Sequence, residues 1–136
     1  MPLTTWTATM SVGVEALDDD HRRLVSMLNE LYDAIREGRG AAGLDRTLRG
    51  LLTYAQEHFA REERLFEATD YPGAWSHKAE HDAFVLQVRL FMQRLASGQT
   101  SLTAAETMKL LKEWLVFHIQ GCDQLYTAHL NGCGIV

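Results

Sequence analysis

Apolar residues recur at every third or fourth position through most of this chain, which is the period of an amphipathic α-helix. Four such segments stand out, over residues 17–35, 44–65, 77–95 and 103–118. No stretch shows the strict alternation of apolar and polar residues that marks a half-buried strand. Because the connecting segments are short, neighbouring helices should run antiparallel. The pattern predicts an all-α, up-down-up-down antiparallel four-helix bundle.

The remaining residues flank this bundle. Residues 1–16 are predicted to form an extended N-terminal arm, residues 17–121 the bundle, and residues 122–136 a short C-terminal helix and tail. The acidic run Asp18–Asp20 is predicted to supply the N-cap and the negative first turn of the first helix. Since no linker or repeat divides the sequence, residues 1–136 are predicted to be a single domain.

Composition narrows the function classes. The chain has 136 residues, is 46% hydrophobic and carries a formal net charge of −5. Lysines and arginines are scattered without a basic stripe, so a nucleic-acid partner is not expected. The apolar stretches are far too short to cross a bilayer. The only two cysteines, Cys122 and Cys133, are expected to be reduced thiols in a cytoplasmic protein.

Seven histidines and carboxylates interrupt the apolar stripes, where a buried polar atom costs free energy unless it finds a partner. Two pairs are spaced four residues apart, which places both members of a pair on one helical face. In an antiparallel bundle the other members lie near the same end. The seven residues are His21, His58, Glu62, His77, His81, His118 and Asp123. Their convergence predicts a metal site.

The number and type of these side chains constrain the metal. Seven ligands are too many for one tetrahedral ion and suit two octahedral ions bridged by carboxylates. Five imidazoles argue against calcium and magnesium, which prefer oxygen ligands. A structural zinc site would typically use four ligands, often thiolates. The residues therefore favour a pair of transition-metal ions.

The spacing from His118 to Asp123 is awkward for a regular helix. A five-residue step leaves Asp123 roughly 140° from the face of His118. Either the helix widens into a π-type turn or breaks near Gly121, or it stays regular and Cys122 becomes a thiolate ligand. The first alternative is favoured, because a soft thiolate suits a histidine and carboxylate site poorly.

On these residues the sequence resembles the hemerythrin family, most closely its single-domain bacterial members, the bacteriohemerythrins. The matching stretches cover nearly the whole chain: Gly13-Val14, Leu17-Asp18, His21, His58-Phe59, Glu62-Glu63, Tyr71-Pro72, His77, His81, Trp114-Leu115, His118-Ile119, Asp123 and Tyr126.

The resemblance implies two iron ions with distinct ligands. His77, His81 and His118 would hold one iron. His21 and His58 would hold the second, which keeps an open position. Glu62 and Asp123 would bridge the two, together with an oxo or hydroxo group.

The resemblance also implies a function, which is reversible O2 binding at the open iron for transport, storage or delivery, without enzymatic activity. Ferritin-like di-iron proteins use more carboxylates, so the set of five histidines favours holding O2 over activating it. The expected partners are O2 and an O2-consuming enzyme as recipient, and the protein is expected to be a monomer. Two alternatives are a di-iron enzyme acting on peroxide or O2, and an O2- or iron-sensing module.

Bound O2 would need a dry pocket. Five apolar residues flank the predicted ligands and are predicted to line such a pocket: Leu24, Phe59, Trp114, Leu115 and Ile119. Tyr126 is interpreted as a packing residue, and His129 is predicted to lie on an exposed tail.

Overall fold

Helices dominate the structure, a computed structural model that describes residues 3–38, 41–98 and 101–136, without the side chains of residues 41, 42, 101–105 and 107. The long helices are α1 (Glu15–Arg36), α2 (Ala41–Thr69), α3 (Ala74–Ala96) and α4 (Ser101–Phe117). A π-helical turn (His118–Cys122), a 3-10 turn (Asp123–Tyr126) and the short α5 (Thr127–Gly132) follow. No strand occurs in these described ranges.

The four long helices form the predicted bundle. Both α1 and α3 pack against α2 and α4. The periodic leucines of α1 face inward, and Leu24, Leu28 and Leu31 are buried. Gly38 follows α1 with φ +69° and Gly98 follows α3 with φ +83°. Glycine adopts this left-handed conformation without a Cβ penalty, which lets the chain leave each helix sharply.

The apolar interior consists of two clusters. The large cluster contains Leu24 and Phe59 together with most of the buried leucines. The small cluster comprises Val12, Val14, Leu17, Phe66, Tyr126 and Leu130. Along α1 and α2, the two clusters are separated by about two helical turns, and buried polar residues fill the layer between them.

The N-terminal arm ends earlier than predicted, because α1 begins at Glu15 and its N-cap position is Val14. Residues 1 and 2 of the predicted arm lie outside the described residues. Within the arm, Ala8–Met10 form a 3-10 turn. The side chain of Asp18 does not cap α1; it accepts hydrogen bonds from the Val12 N–H (2.7 Å) and from the Ser11 hydroxyl (2.6 Å). It therefore holds the arm against the first turn of α1.

Within the described ranges, no helix combines the length and the apolar character that crossing a membrane requires.

Candidate metal centre

All seven residues predicted as ligands meet in the polar layer between the two apolar clusters. Each is at most 4% exposed. They converge because the start of α1, the end of α2, the start of α3 and the end of α4 lie at the same end of the bundle, as the antiparallel topology requires. The contributing residues are His21 from α1, His58 and Glu62 from α2, His77 and His81 from α3, His118 from the π-turn and Asp123 from the 3-10 turn.

The π-turn brings Asp123 to the same side of the chain as His118. It spans His118–Cys122, and Asp123 is fully buried directly after it. The π-type turn favoured from the spacing is therefore confirmed. A Cβ added at Gly121 would meet no atom within 4 Å, so the turn does not need a glycine for reasons of space.

The donor atoms divide into two overlapping groups. In each group, one ligand atom per residue lies within 4.8 Å of all the others. Glu62 and Asp123 occur in both groups. The first group adds three imidazoles and the second adds two: His77, His81 and His118 in the first, His21 and His58 in the second. Two cations placed in these groups would share both carboxylates.

The spacing of the donor atoms fits ions between them. Four imidazole Nε2 atoms lie 2.8–3.0 Å from a carboxylate oxygen, those of His21, His77 and His118 from Asp123 and that of His81 from Glu62. Within the described part of the chain, these four nitrogens and three of the four carboxylate oxygens nevertheless make no hydrogen bond. Ligands at right angles around an ion, each about 2.1 Å from it, are roughly 3 Å apart. The close but misaligned atoms therefore match ligation better than hydrogen bonding.

The electrostatics of the layer also favour cations. Burial would raise the pKa of the carboxyls of Glu62 and Asp123, but the surrounding imidazoles outweigh burial and lower both pKa values. Burial would conversely lower the pKa of His58 and of His77. The neighbouring carboxylates outweigh it and raise the pKa of His58 to about 10 and that of His77 to about 9. Two ionised carboxylates in a buried layer require positive charge nearby, which protonated imidazoles supply here and which bound cations would supply in their place.

Two carboxylates outside the seven orient ligand imidazoles. An oxygen of Asp20 lies 2.8 Å from Nδ1 of His58, and an oxygen of Glu63 lies 3.0 Å from Nδ1 of His81. Asp20 also accepts from the guanidinium of Arg61. Burial opposes its ionisation, but His58 and Arg61 lower its pKa to about 2. Such partners fix the tautomer and the orientation of a ligating imidazole. The sequence interpretation had assigned Asp20 to the helix N-terminus only.

Tyr126 does more than pack, so its sequence interpretation was incomplete. Its ring contacts Phe66 (centroids 5.3 Å apart), and its hydroxyl donates to Oε2 of Glu62 at 2.5 Å. Burial and the charge of Glu62 raise the pKa of Tyr126 well above its usual value, so the hydroxyl keeps its proton and acts as a donor.

The prediction for His129 was wrong. This residue lies in α5 and is half-buried. Its Nε2 is 2.8 Å from the carbonyl oxygen of Thr69. Since a carbonyl only accepts, Nε2 carries the hydrogen. His129 therefore ties α5 to the end of α2.

The residues predicted to line a dry pocket all belong to the large cluster or pack against it. Phe59 stacks on His81 with ring centroids 3.9 Å apart, and Trp114 stacks on His118 at 4.5 Å. These two aromatic rings cover imidazoles of the first donor group. The other three residues are buried in the large cluster: Leu24, Leu115 and Ile119.

Comparisons with known proteins agree with this architecture. The family model of the hemerythrin HHE cation binding domain matches residues 12–130. The chain is 35% identical to a bacteriohemerythrin of Stenotrophomonas maltophilia, over 96% of this chain and 86% of that protein. It is 32% identical to a bacteriohemerythrin of Methylococcus capsulatus, over 93% and 95% respectively. A crystal structure of wild-type hemerythrin matches the fold with a TM-score of 0.83 and 30% identity, over 94% of this chain and 98% of that chain. The chain therefore belongs to the hemerythrin family.

Proposed function

We propose that this protein binds O2 reversibly at a di-iron centre, for transport, storage or delivery of O2, and that it is not an enzyme. The observation that carries the proposal is the sharing of Glu62 and Asp123 between two donor groups of unequal size. The first group offers five donors and the second offers four. An ion in the second group, beside His21 and His58, therefore keeps more positions free for an external ligand.

The donor set supports transition-metal ions, and the family relationship supports iron among them. Both groups consist of imidazole nitrogens and carboxylate oxygens, which suit a transition metal that can take six ligands. The family description specifies cation binding, and the relatives are named bacteriohemerythrins. When bound, a pair of ferrous ions would supply the electrons that hold O2 and that return to iron when O2 leaves.

The surrounding side chains hold the ligands in place. Tyr126 keeps its proton and donates to Glu62, which fixes the carboxylate that both groups share. Asp20 and Glu63 orient the imidazoles of His58 and His81 from behind. The ligand set can therefore keep one geometry whether or not O2 is present, as reversible binding requires.

The apolar surroundings limit the access of water. Phe59 is 4% exposed and stacks on a ligand imidazole. Leu24, Leu115 and Ile119 are at most 1% exposed. Exclusion of water and protons from bound O2 is what separates reversible release from irreversible oxidation of the metals. A cytoplasmic location, a monomeric state and an O2-consuming enzyme as recipient remain predictions from the sequence.

The test is oxygen cycling of the iron-loaded protein. Colourless reduced protein is exposed to O2, its visible absorption is recorded, and the sample is then purged with argon. We expect absorption bands that appear with O2 and disappear on purging through several cycles. His129→Gln, which changes the histidine outside the cluster, should cycle like the wild type, whereas His58→Ala should not.

Two outcomes would contradict the proposal. Irreversible oxidation with turnover of added peroxide would favour the di-iron enzyme instead. Purified protein that carried zinc and no iron after expression with ample iron would contradict both the carrier and the enzyme.

A further inference from the structure

We propose that Cys122, Glu80 and Nδ1 of His118 form an additional metal site for one thiophilic divalent cation such as Zn²⁺. This site is separate from the two donor groups described above. One ligand atom from each of these residues lies within 4.8 Å of the other two. None of the other six predicted ligands takes part in this cluster. We call it the outer site.

A buried nitrogen without a partner points to this site. Nε2 of His118 lies 3.0 Å from Oδ1 of Asp123 and faces the inner layer. The other ring nitrogen, Nδ1, is buried and has no hydrogen-bond partner among the described residues. A carboxylate accepts from Nδ1 of His58 and of His81, whereas Nδ1 of His21 is buried and unpartnered like that of His118; of these two orphaned nitrogens, only that of His118 belongs to a residue of the outer site. His118 is only 3% exposed, so water cannot easily replace the missing partner.

The packing around His118 leaves this nitrogen few other options. Trp114 stacks over the ring with an interplanar angle of 12°. An indole has a donor and no acceptor in its ring plane, so it cannot satisfy the N–H of His118. His77 meets the ring edge-on, with centroids 4.7 Å apart. Cys122 and Glu80 each have a ligand atom within 4.8 Å of a ring nitrogen of His118. Because Nε2 faces Asp123, we assign the nitrogen of the outer site as Nδ1.

The π-turn lets His118 neighbour both Cys122 and Asp123. In a regular helix the residues three and four positions on, Gly121 and Cys122, would lie beside His118. The wider π-turn repeats at five residues, so Asp123 and Cys122 both lie near the same imidazole. Glu80 comes from the neighbouring α3. Burial and the Glu80 carboxylate both raise the pKa of the Cys122 thiol, which agrees with their proximity.

The donor set determines which cation would bind. One sulfur, one imidazole nitrogen and one carboxylate oxygen are typical zinc ligands, with a fourth tetrahedral position left for water. Binding would form Zn–S and Zn–N bonds, break the S–H bond of Cys122 and the Nδ1–H bond of His118, and release two protons to solvent. Cys122 is half-buried and Glu80 is exposed, so a cation can arrive from solvent without passing through the inner layer.

The test uses the di-iron-loaded protein with Cd²⁺ as the probe, since a cadmium–thiolate bond gives an ultraviolet charge-transfer absorption. We expect one Cd²⁺ per chain with this absorption, while both irons stay bound. Cys122→Ser should abolish the absorption and lower the affinity at least about 100-fold, because even an outer partner of a metal ligand is worth roughly 10–100-fold. The matched control Cys133→Ser removes the exposed tail thiol and should leave the titration unchanged.

A second variant, Glu80→Gln, keeps the test decisive if Cys122→Ser also loses iron. Glu80 is exposed and lies outside both donor groups. This variant should retain two irons and weaken Cd²⁺ binding about tenfold or more. Three results would overturn the proposal: absorption that depends on Cys133 instead of Cys122, release of iron in proportion to the Cd²⁺ taken up, or unchanged Cd²⁺ affinity in Glu80→Gln.

Discussion

The large apolar cluster and the polar ligand layer are built on the same four helices, but they affect stability in opposite ways. Leu28, Leu31, Leu48 and Leu51 are completely buried in the large cluster, and burying such a side chain contributes about 1.5–3 kcal/mol. The polar layer contains buried nitrogens and oxygens that make no hydrogen bond to the described residues, and each such atom costs about 1–3 kcal/mol. The large cluster therefore stabilises the fold, and we expect the polar layer to lower the stability of the metal-free protein.

The largest predicted effect follows from removing a shared carboxylate. Asp123→Ala deletes a donor from both groups, so we expect retention of iron to fall by at least about 100-fold in affinity. Iron per chain after desalting measures this. Asp82→Ala is the control, because Asp82 is exposed and pairs with Lys78 on the surface of α3. An Asp123→Ala protein that kept both irons and normal O2 binding would refute the bridging role.

A matching substitution in the large cluster should have the opposite effect, because it should lower stability and leave iron binding intact. Leu51→Ala leaves a cavity and should lower the free energy of unfolding by about 2–5 kcal/mol, while the native protein still binds two irons. Urea unfolding of the metal-free protein gives the stability. Leu110→Ala, at a position that is 57% exposed, should change it by less than about 0.5 kcal/mol. Loss of iron without loss of stability in Leu51→Ala would reverse the comparison.

Tyr126 links the small apolar cluster to the polar layer, since its ring packs in that cluster and its hydroxyl donates to Glu62. Tyr126→Phe preserves the ring and removes the donor. We expect it to destabilise the metal-free protein by about 1.5–3 kcal/mol, the worth of a hydrogen bond to a charged group. Tyr32→Phe, which removes the hydroxyl of a half-buried tyrosine of α1 that packs against the large cluster, serves as the matched control. Equal stabilities of the two variants would show that the hydroxyl of Tyr126 has no such role.

The smallest effect on iron binding is expected for Asp20, whose carboxylate contacts Nδ1 of His58. Asp20→Asn keeps the size of the side chain but removes the charge that orients this imidazole. Iron affinity should fall about 10–100-fold, as measured by competition with a chelator. The neighbouring Asp19→Asn changes an exposed carboxylate that pairs with Arg22 and should have no effect. A normal affinity in Asp20→Asn would mean that packing alone orients His58.

The bundle was predictable because buried leucines repeat along each helix, and antiparallel order then placed the histidines at one end. The π-turn was predictable as one of two alternatives, since the step from His118 to Asp123 does not fit a regular helix. Both inferences use spacing along the chain, which the sequence displays directly.

Spacing along the chain could not reveal the carboxylates that contact His58 and His81, or the contact made by His129. Asp20 lies 38 positions from His58 and meets it only through the packing of α1 against α2. Glu63 follows Glu62 but faces His81 on another helix. His129 was misplaced because a hydrogen bond to a backbone carbonyl on α2 leaves no pattern in the sequence. These contacts depend on helix rotation and on the path of the C-terminal segment, which periodicity does not specify.

The most direct test of the central claim is a crystal structure of the iron-loaded protein with anomalous scattering measured at the iron edge. We predict two iron peaks in the polar layer, both in contact with Glu62 and Asp123. One peak should be bound by His77, His81 and His118, and the other by His21 and His58. A single iron, or two irons that shared neither carboxylate, would contradict the account.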